Sequence, residues 1–153
     1  MIEPIKITLD LPVSTAKAFD TFTLGFGSWW PRDYTWSGDS LKAIGMEPQK
    51  GGRCTEVGPH GFQCDWGRVL EWKPPEELRL AWQISPGREP VPDPNRASAI
   101  KVEFESAENG CTLNFEHSDF ERHGDEASGY REALASQQGW PWILEQFVQA
   151  CQK

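Results

Sequence analysis

The sequence predicts an α+β fold in which one curved antiparallel sheet of about six to seven strands is closed by a long C-terminal helix. Three observations predict it. An alternating apolar segment opens the chain and is followed by two short helical stretches; alternating segments separated by Gly- and Pro-rich turns then run from about residue 41 to 117; and Trp140 to Cys151 carries helical periodicity. Runs of strands followed by helices, without regular strand–helix alternation, belong to the α+β class. Such a sheet has one face to bury, and only the final helix is long enough to cover it. A strongly curved sheet cannot meet a straight helix along its whole length, so a cavity between them is one outcome and a fully filled core is the other.

Ile5, Ile7, Leu9 and Leu11 alternate with period two and read as a strand that Pro12 ends. Ser14 is placed to cap a helix over Ala16 to Phe22, with Phe19 and Phe22 on one face. Gly25 and Gly27 interrupt it, and Trp29-Trp30-Pro31 ends a second short helical turn, because proline disfavours helical backbone in the residue before it. Leu41 to Met46 is a weak strand, and Gly51-Gly52 turns the chain into Arg53 to Val57. Gly58-Pro59-His60-Gly61 closes a hairpin into Phe62 to Trp72, which Pro74 and Pro75 stop.

Leu78, Leu80, Trp82 and Ile84 alternate with Glu77, Arg79, Ala81 and Gln83, a half-buried strand. Pro86 to Pro94 holds too many prolines to be anything but a loop. Ile100, Val102 and Phe104 mark the next strand, and the Glu108-Asn109-Gly110 turn leads into Cys111, Leu113, Phe115 and His117. Ala127 to Ala135 is a short helix candidate. Gly139-Trp140-Pro141 opens the last helix, with Pro141 in the first turn, where a missing N–H costs little. Its apolar stripe takes Trp140, Leu144, Phe147 or Val148, and Cys151.

Composition narrows the function classes. The 153 residues carry a net charge of −8, a surface that repels phosphate backbones and anionic lipid, so neither nucleic acid nor membrane is an expected partner. No apolar stretch reaches bilayer-spanning length. Met1 to Leu11 alternates where a secretory signal would have an apolar core, which makes a cytoplasmic location the expectation. The four cysteines are too sparse and irregular for a disulfide framework. Eight Trp and eight Phe imply either a core of large rings or a cavity lined with them.

No nucleophile elbow, phosphate loop or dinucleotide fingerprint is present, and no cofactor is expected. Cys54, His60 and Cys64 cluster around one hairpin, but their spacing matches no standard zinc pattern. Arg68 shares the parity of Trp66 and Trp72. Facing inward, it needs an anionic partner, either a ligand carboxylate or Glu56; facing outward, it forms a surface ion pair. His117 shares the parity of Leu113 and Phe115. There it either orients a ligand, with an imidazole able to act near neutral pH, or sits as a satisfied core-edge histidine. Trp29, Trp30 and Pro31 form the mouth of a cavity, a partner-facing lip, or packing of the short helices against the sheet edge.

Three stretches carry a family resemblance: Gly51-Gly52-Arg53; Asp65-Trp66-Gly67-Arg68-Val69-Leu70-Glu71-Trp72-Lys73-Pro74-Pro75; and Leu78-Arg79-Leu80-Ala81-Trp82-Gln83-Ile84. Together with Phe19 to Trp30-Pro31, Asn114-Phe115-Glu116-His117 and Gly139-Trp140, they resemble the Hsp90-ATPase-activator-homologue branch of the START/Bet v 1-like superfamily. The resemblance spans essentially the whole chain and implies a single helix-grip domain over residues 1–153, a sheet gripping the C-terminal helix. The chain departs from the family at Cys54 and Thr55, where an aromatic pair is usual. The fold hosts carriers, cyclases, hydrolases and chaperone cofactors, so the resemblance leaves function open.

Three functions follow as expectations. The first is binding of an apolar or amphipathic small molecule in a pocket drawn from Trp30, Trp66, Arg68, Trp82, Phe104, Phe115, His117 and Trp140. The second, implied by the resemblance, is a co-chaperone-like role with a chaperone or other protein partner. The third is a cavity enzyme using Arg68 and His117.

Overall fold

The computed structural model describes residues 2–152. Its seven-stranded antiparallel sheet has the order β1-β7-β6-β5-β4-β3-β2. In chain order the strands are β1 (Ile5–Leu11), β2 (Ala43–Met46), β3 (Arg53–Val57), β4 (Gln63–Lys73), β5 (Glu77–Trp82), β6 (Ser98–Ala107) and β7 (Gly110–Ser118). The helices are α1 (Thr15–Phe22), α2 (Phe26–Trp29), α3 (Ala127–Ala135) and α4 (Trp140–Cys151). Strands β2 to β7 are neighbours in chain order, β5 and β6 joined by the long loop of residues 83–97, and β1, the first strand, pairs with the last, β7.

Alternation decides which side chains meet. Leu78, Leu80 and Trp82 of β5, Ile100, Val102 and Phe104 of β6, and Leu113, Phe115 and His117 of β7 all turn to the concave face and are buried. The register places Leu80 beside Ile100 and Ile100 beside His117, so the apolar rows run unbroken across strands. Gly110 ends the β6–β7 turn at φ 148, where an added Cβ would collide with the Leu11 carbonyl oxygen. Only glycine fits so close a backbone approach.

Helix α4 lies in the concavity. Trp140, Ile143, Leu144, Phe147 and Cys151 are its buried residues, which resolves the stripe in favour of Phe147 over Val148 and adds Ile143. Ser14 caps α1 by accepting from the Lys17 N–H at 3.1 Å. Phe19 then packs edge-on to Trp72 and Phe104, and Phe22 edge-on to Phe147. Fully burying one such side chain contributes about 1.5–3 kcal/mol, so this half of the concavity is a filled core.

Strand β4 departs from the simple alternation expected of it. Cys54 pairs with Gly67 while Thr55 pairs with Asp65, leaving Trp66 as an extra residue opposite β3. Val69 pairs with Leu80 while Glu71 pairs with Arg79, leaving Leu70 extra opposite β5. Each bulge shifts the parity of everything beyond it. Trp66, Val69 and Trp72 therefore face the core, and Arg68 does not share their side. It sits opposite Arg53 and Ala81 on the convex face, where its guanidinium donates to the Gly51 carbonyl at 3.3 Å. The inward arginine that the sequence allowed is thus corrected.

Candidate functional site

The concavity is not filled at its other end. Between β2–β5 and the α3–α4 corner lies a cavity of about 370 Å³. The bulge in β4 turns Trp66 onto its wall, β5 supplies Trp82, the turn after α2 supplies Trp30, and the start of α4 supplies Trp140 and Ile143. Glu56 of β3 and Ile44 of β2 complete the sheet side, and Tyr130, Ala133 and Leu134 of α3 form the opposite bank. The rest of the wall is a strap, residues 32–40, made of two single turns of 3-10 helix and contributing Asp33 to Trp36, together with Ile84, Pro86 and Arg88 after β5 and the turn between α3 and α4.

The wall is built from flat rings. Phe26, Trp30 and Trp66 are mutually parallel within 18°, with centroids 4.9–6.4 Å apart, and Trp30 and Trp66 reach the cavity. Trp82 and Trp140 stand at 52–65° to Trp30 and to each other. Stacked and edge-on pairs at these distances add about 0.5–1.5 kcal/mol each beyond their area, so the rings of the wall hold one another in place.

Polar groups hold the wall together. The Trp82 indole donates to the Tyr130 hydroxyl at 2.7 Å, and that hydroxyl donates to the Ile84 carbonyl at 2.8 Å. Burial pushes the Tyr130 phenol up to about 12, so at neutral pH it is a protonated donor. Glu56, only 1% exposed, ties the strap to the sheet: its Oε1 accepts from the Trp36 N–H at 3.0 Å and its Oε2 from the Ser37 N–H at 2.7 Å. The Trp36 indole donates to the Arg88 carbonyl at 2.7 Å and the Tyr34 hydroxyl to the Gln138 carbonyl at 2.6 Å, which pins the strap to both flanking loops.

The eight residues expected at the site fall into four groups. Trp30, Trp66, Trp82 and Trp140 are brought together on the wall. Phe104 and Phe115 are buried in the filled half of the concavity, Phe104 against Phe19 and Phe22, Phe115 against Trp140. Arg68 is on the other face of the sheet, so Arg68 and His117 do not form a pair.

His117 lies behind Trp82 and Trp140, fully buried. The Trp140 indole donates to its Nδ1 at 2.9 Å, and its Nε2 lies 2.7 Å from Ser98 Oγ. An indole N–H can only donate, so Nδ1 is the acceptor and the ring proton is on Nε2, which donates to Ser98. The Ser98 hydroxyl can then donate to His123 Nε2 at 2.8 Å. Burial, and secondarily the neighbouring His123, hold His117 well below its ordinary value; burial and then Arg96 lower His123. The histidine is a satisfied core residue that orients the Trp140 ring.

Several wall residues carried no sequence signal. Glu56 was visible only as a conceivable partner for Arg68. Tyr130 sits on a weak helix, and the strap has no periodicity. A carboxylate standing between Cys54 and a turn was the one clue available.

The sequence matches the family described as Activator of Hsp90 ATPase homolog 1-like protein over residues 13–152. The chain belongs to this family. Members of the Activator of Hsp90 ATPase homolog 1-like family share the helix-grip sheet seen here. An anthrahydroquino-gamma-pyrone synthase solved as a complex is 32% identical, with 97% of each chain covered and a TM-score of 0.68. The Aha1 dimer from Colwellia psychrerythraea (16% identity, 98% of this chain and 96% of that one, TM-score 0.64) is similar in fold. So is a protein from Mesorhizobium loti (17%, 98% and 97%, 0.63). No curated protein matches the chain.

Proposed function

We propose that the chain, acting as one domain, binds a planar aromatic small molecule of apolar or amphipathic character in the cavity between the sheet and helices α3 and α4. The observation that carries this reading is the convergence of Trp30, Trp66, Trp82 and Trp140, from four separate elements, on one space of about 370 Å³. That volume falls in the range of small-molecule sites, roughly 300–1,000 Å³, and aromatic walls with few polar groups are their usual lining. The parallel rings of Trp30 and Trp66 offer faces on which a flat ligand continues the stack. Ala133, exposed at the edge of the cavity, provides the test. Ala133→Trp places an indole in the opening without removing any contact of the wall. Quenching of tryptophan fluorescence by tricyclic aromatics is expected in the native protein and is expected to weaken about tenfold or more in the variant, about 1.4 kcal/mol per factor of ten. Equal binding by both proteins counts against this site.

A second reading is favoured by one observation, the 32% identity over nearly the full length of both chains to an anthrahydroquino-gamma-pyrone synthase. In this reading the bound aromatic is also transformed. Among the ionisable side chains on the wall, Asp33, Tyr34, Glu56, Arg88 and Tyr130, this reading assigns proton transfer to Glu56 as acceptor and Tyr130 as donor. Incubation with an anthrahydroquinone precursor followed by mass spectrometry tests it, and full recovery of the unchanged compound counts against it.

A further inference from the structure

One polar atom in the wall is left unexplained by the fold. Trp66 lines the cavity and is 3% exposed, yet its indole N–H has no acceptor among the described residues. The other wall indoles with a donor role are satisfied: Trp30 by the Tyr34 carbonyl, Trp36 by the Arg88 carbonyl, Trp82 by Tyr130 and Trp140 by His117. A buried donor without a partner costs about 1–3 kcal/mol, and such groups in a cavity wall mark a place where an acceptor arrives from outside the chain.

Beside it stands surplus acceptor capacity. Glu56 pairs with Cys64 across the β3–β4 ladder, and Trp66 is two residues further along the same strand on the same face. The Glu56 carboxylate receives one N–H on each oxygen, leaving a lone pair free on each. No Lys, Arg or His among the described residues forms an ion pair with it. The cavity thus presents an unused donor and an under-used anionic acceptor at neighbouring positions of one hairpin.

We infer that Trp66 and Glu56 form a polar edge of the cavity that reads a ligand carrying both a carbonyl oxygen and a hydroxyl group: the carbonyl accepts from the Trp66 indole and the hydroxyl donates to the Glu56 carboxylate. This rests on the ligand-binding reading above and names the chemistry it selects. A purely hydrocarbon ring system leaves both groups unanswered.

Four tricyclic probes of nearly one shape separate the terms: fluorene, 2-hydroxyfluorene, 9-fluorenone and 2-hydroxy-9-fluorenone. Their affinities are measured by fluorescence quenching against the native protein, Trp66→Phe and Glu56→Gln. In the native protein each polar group is expected to raise affinity, by about 3- to 10-fold for the carbonyl and about 10-fold or more for the hydroxyl on the charged acceptor. Trp66→Phe is expected to abolish the fluorenone-to-fluorene ratio and keep the hydroxyl ratio; Glu56→Gln is expected to reduce the hydroxyl ratio and keep the carbonyl one. Ratios taken within one protein cancel any general loosening of the cavity. A measurement on the native protein guards against a poorly folding variant: the Trp66 indole resonance is expected to move downfield with 9-fluorenone and not with fluorene. If all four probes bind native protein equally, or the Trp66 resonance responds alike to both, the polar edge is refuted and the cavity reading stands. If none of the four binds, both fall together.

Discussion

Trp140 serves two environments at once: its ring walls the cavity, and its indole N–H fixes the tautomer of His117 behind it. Trp140→Phe keeps most of the ring and strands a buried acceptor. The expected cost is about 1–3 kcal/mol, read as a lower urea midpoint at unchanged slope. The two histidines also set a pH dependence. Both have folded-state values below the ordinary 6.5, so the unfolded chain binds more protons and stability rises with pH. Stability is therefore expected to fall as pH drops from about 6.5 toward the depressed folded values. Thermal unfolding at pH 7.5 and 5.5 checks this, and His123→Gln is expected to flatten the difference. At this scale the inward faces of Trp82 and His117 were legible, because β5 and β7 alternate without interruption, while the full burial of His117 behind Trp140 was not. The side taken by Arg68 was not, because nothing in Gln63 to Lys73 announces two bulges.

Elements are tied to the cavity through the strap of residues 32–40 and the single carboxylate that holds it. Glu56→Gln replaces one accepting oxygen by a donating amide, which leaves either the Trp36 or the Ser37 N–H without its partner. Hydrogen exchange at these two amides is expected to accelerate about tenfold or more, with the β5–β7 amides unchanged. Uniform acceleration across the sheet would show that Glu56 supports the whole fold and not the strap. The strands and α4 could be read from periodicity, since each element repeats its apolar face several times. The strap could not, because two isolated 3-10 turns repeat nothing, and their anchoring carboxylate lies on a distant strand. The helix over Ala127 to Ala135 was readable as an element, but not as a cavity wall, because Tyr130 and Leu134 are its only large cavity-lining side chains and make too short a stripe.

Across the whole molecule, one sheet is covered in two ways. Phe19, Phe22, Phe104 and Phe147 fill the concavity beneath α1 and the end of α4, while the α3–α4 corner stands off the sheet and leaves the aromatic space open. Among the described residues no helix is long and apolar enough to cross a membrane. The curved sheet and closing helix were legible because one long helix and one buried face have few ways to combine. The open end was an alternative that periodicity could not decide, since a filled core and a lined cavity use the same residues. The measurement that decides it is an amide- and indole-resolved NMR titration with hydroxylated tricyclic aromatics. Shifts are expected to concentrate on the strap, the indoles of Trp30, Trp66, Trp82 and Trp140, and the first turn of α4, with the Phe19–Phe147 core silent. Shifts confined to the convex face, or a spectrum unmoved at millimolar ligand, would contradict a ligand cavity between the sheet and its helices.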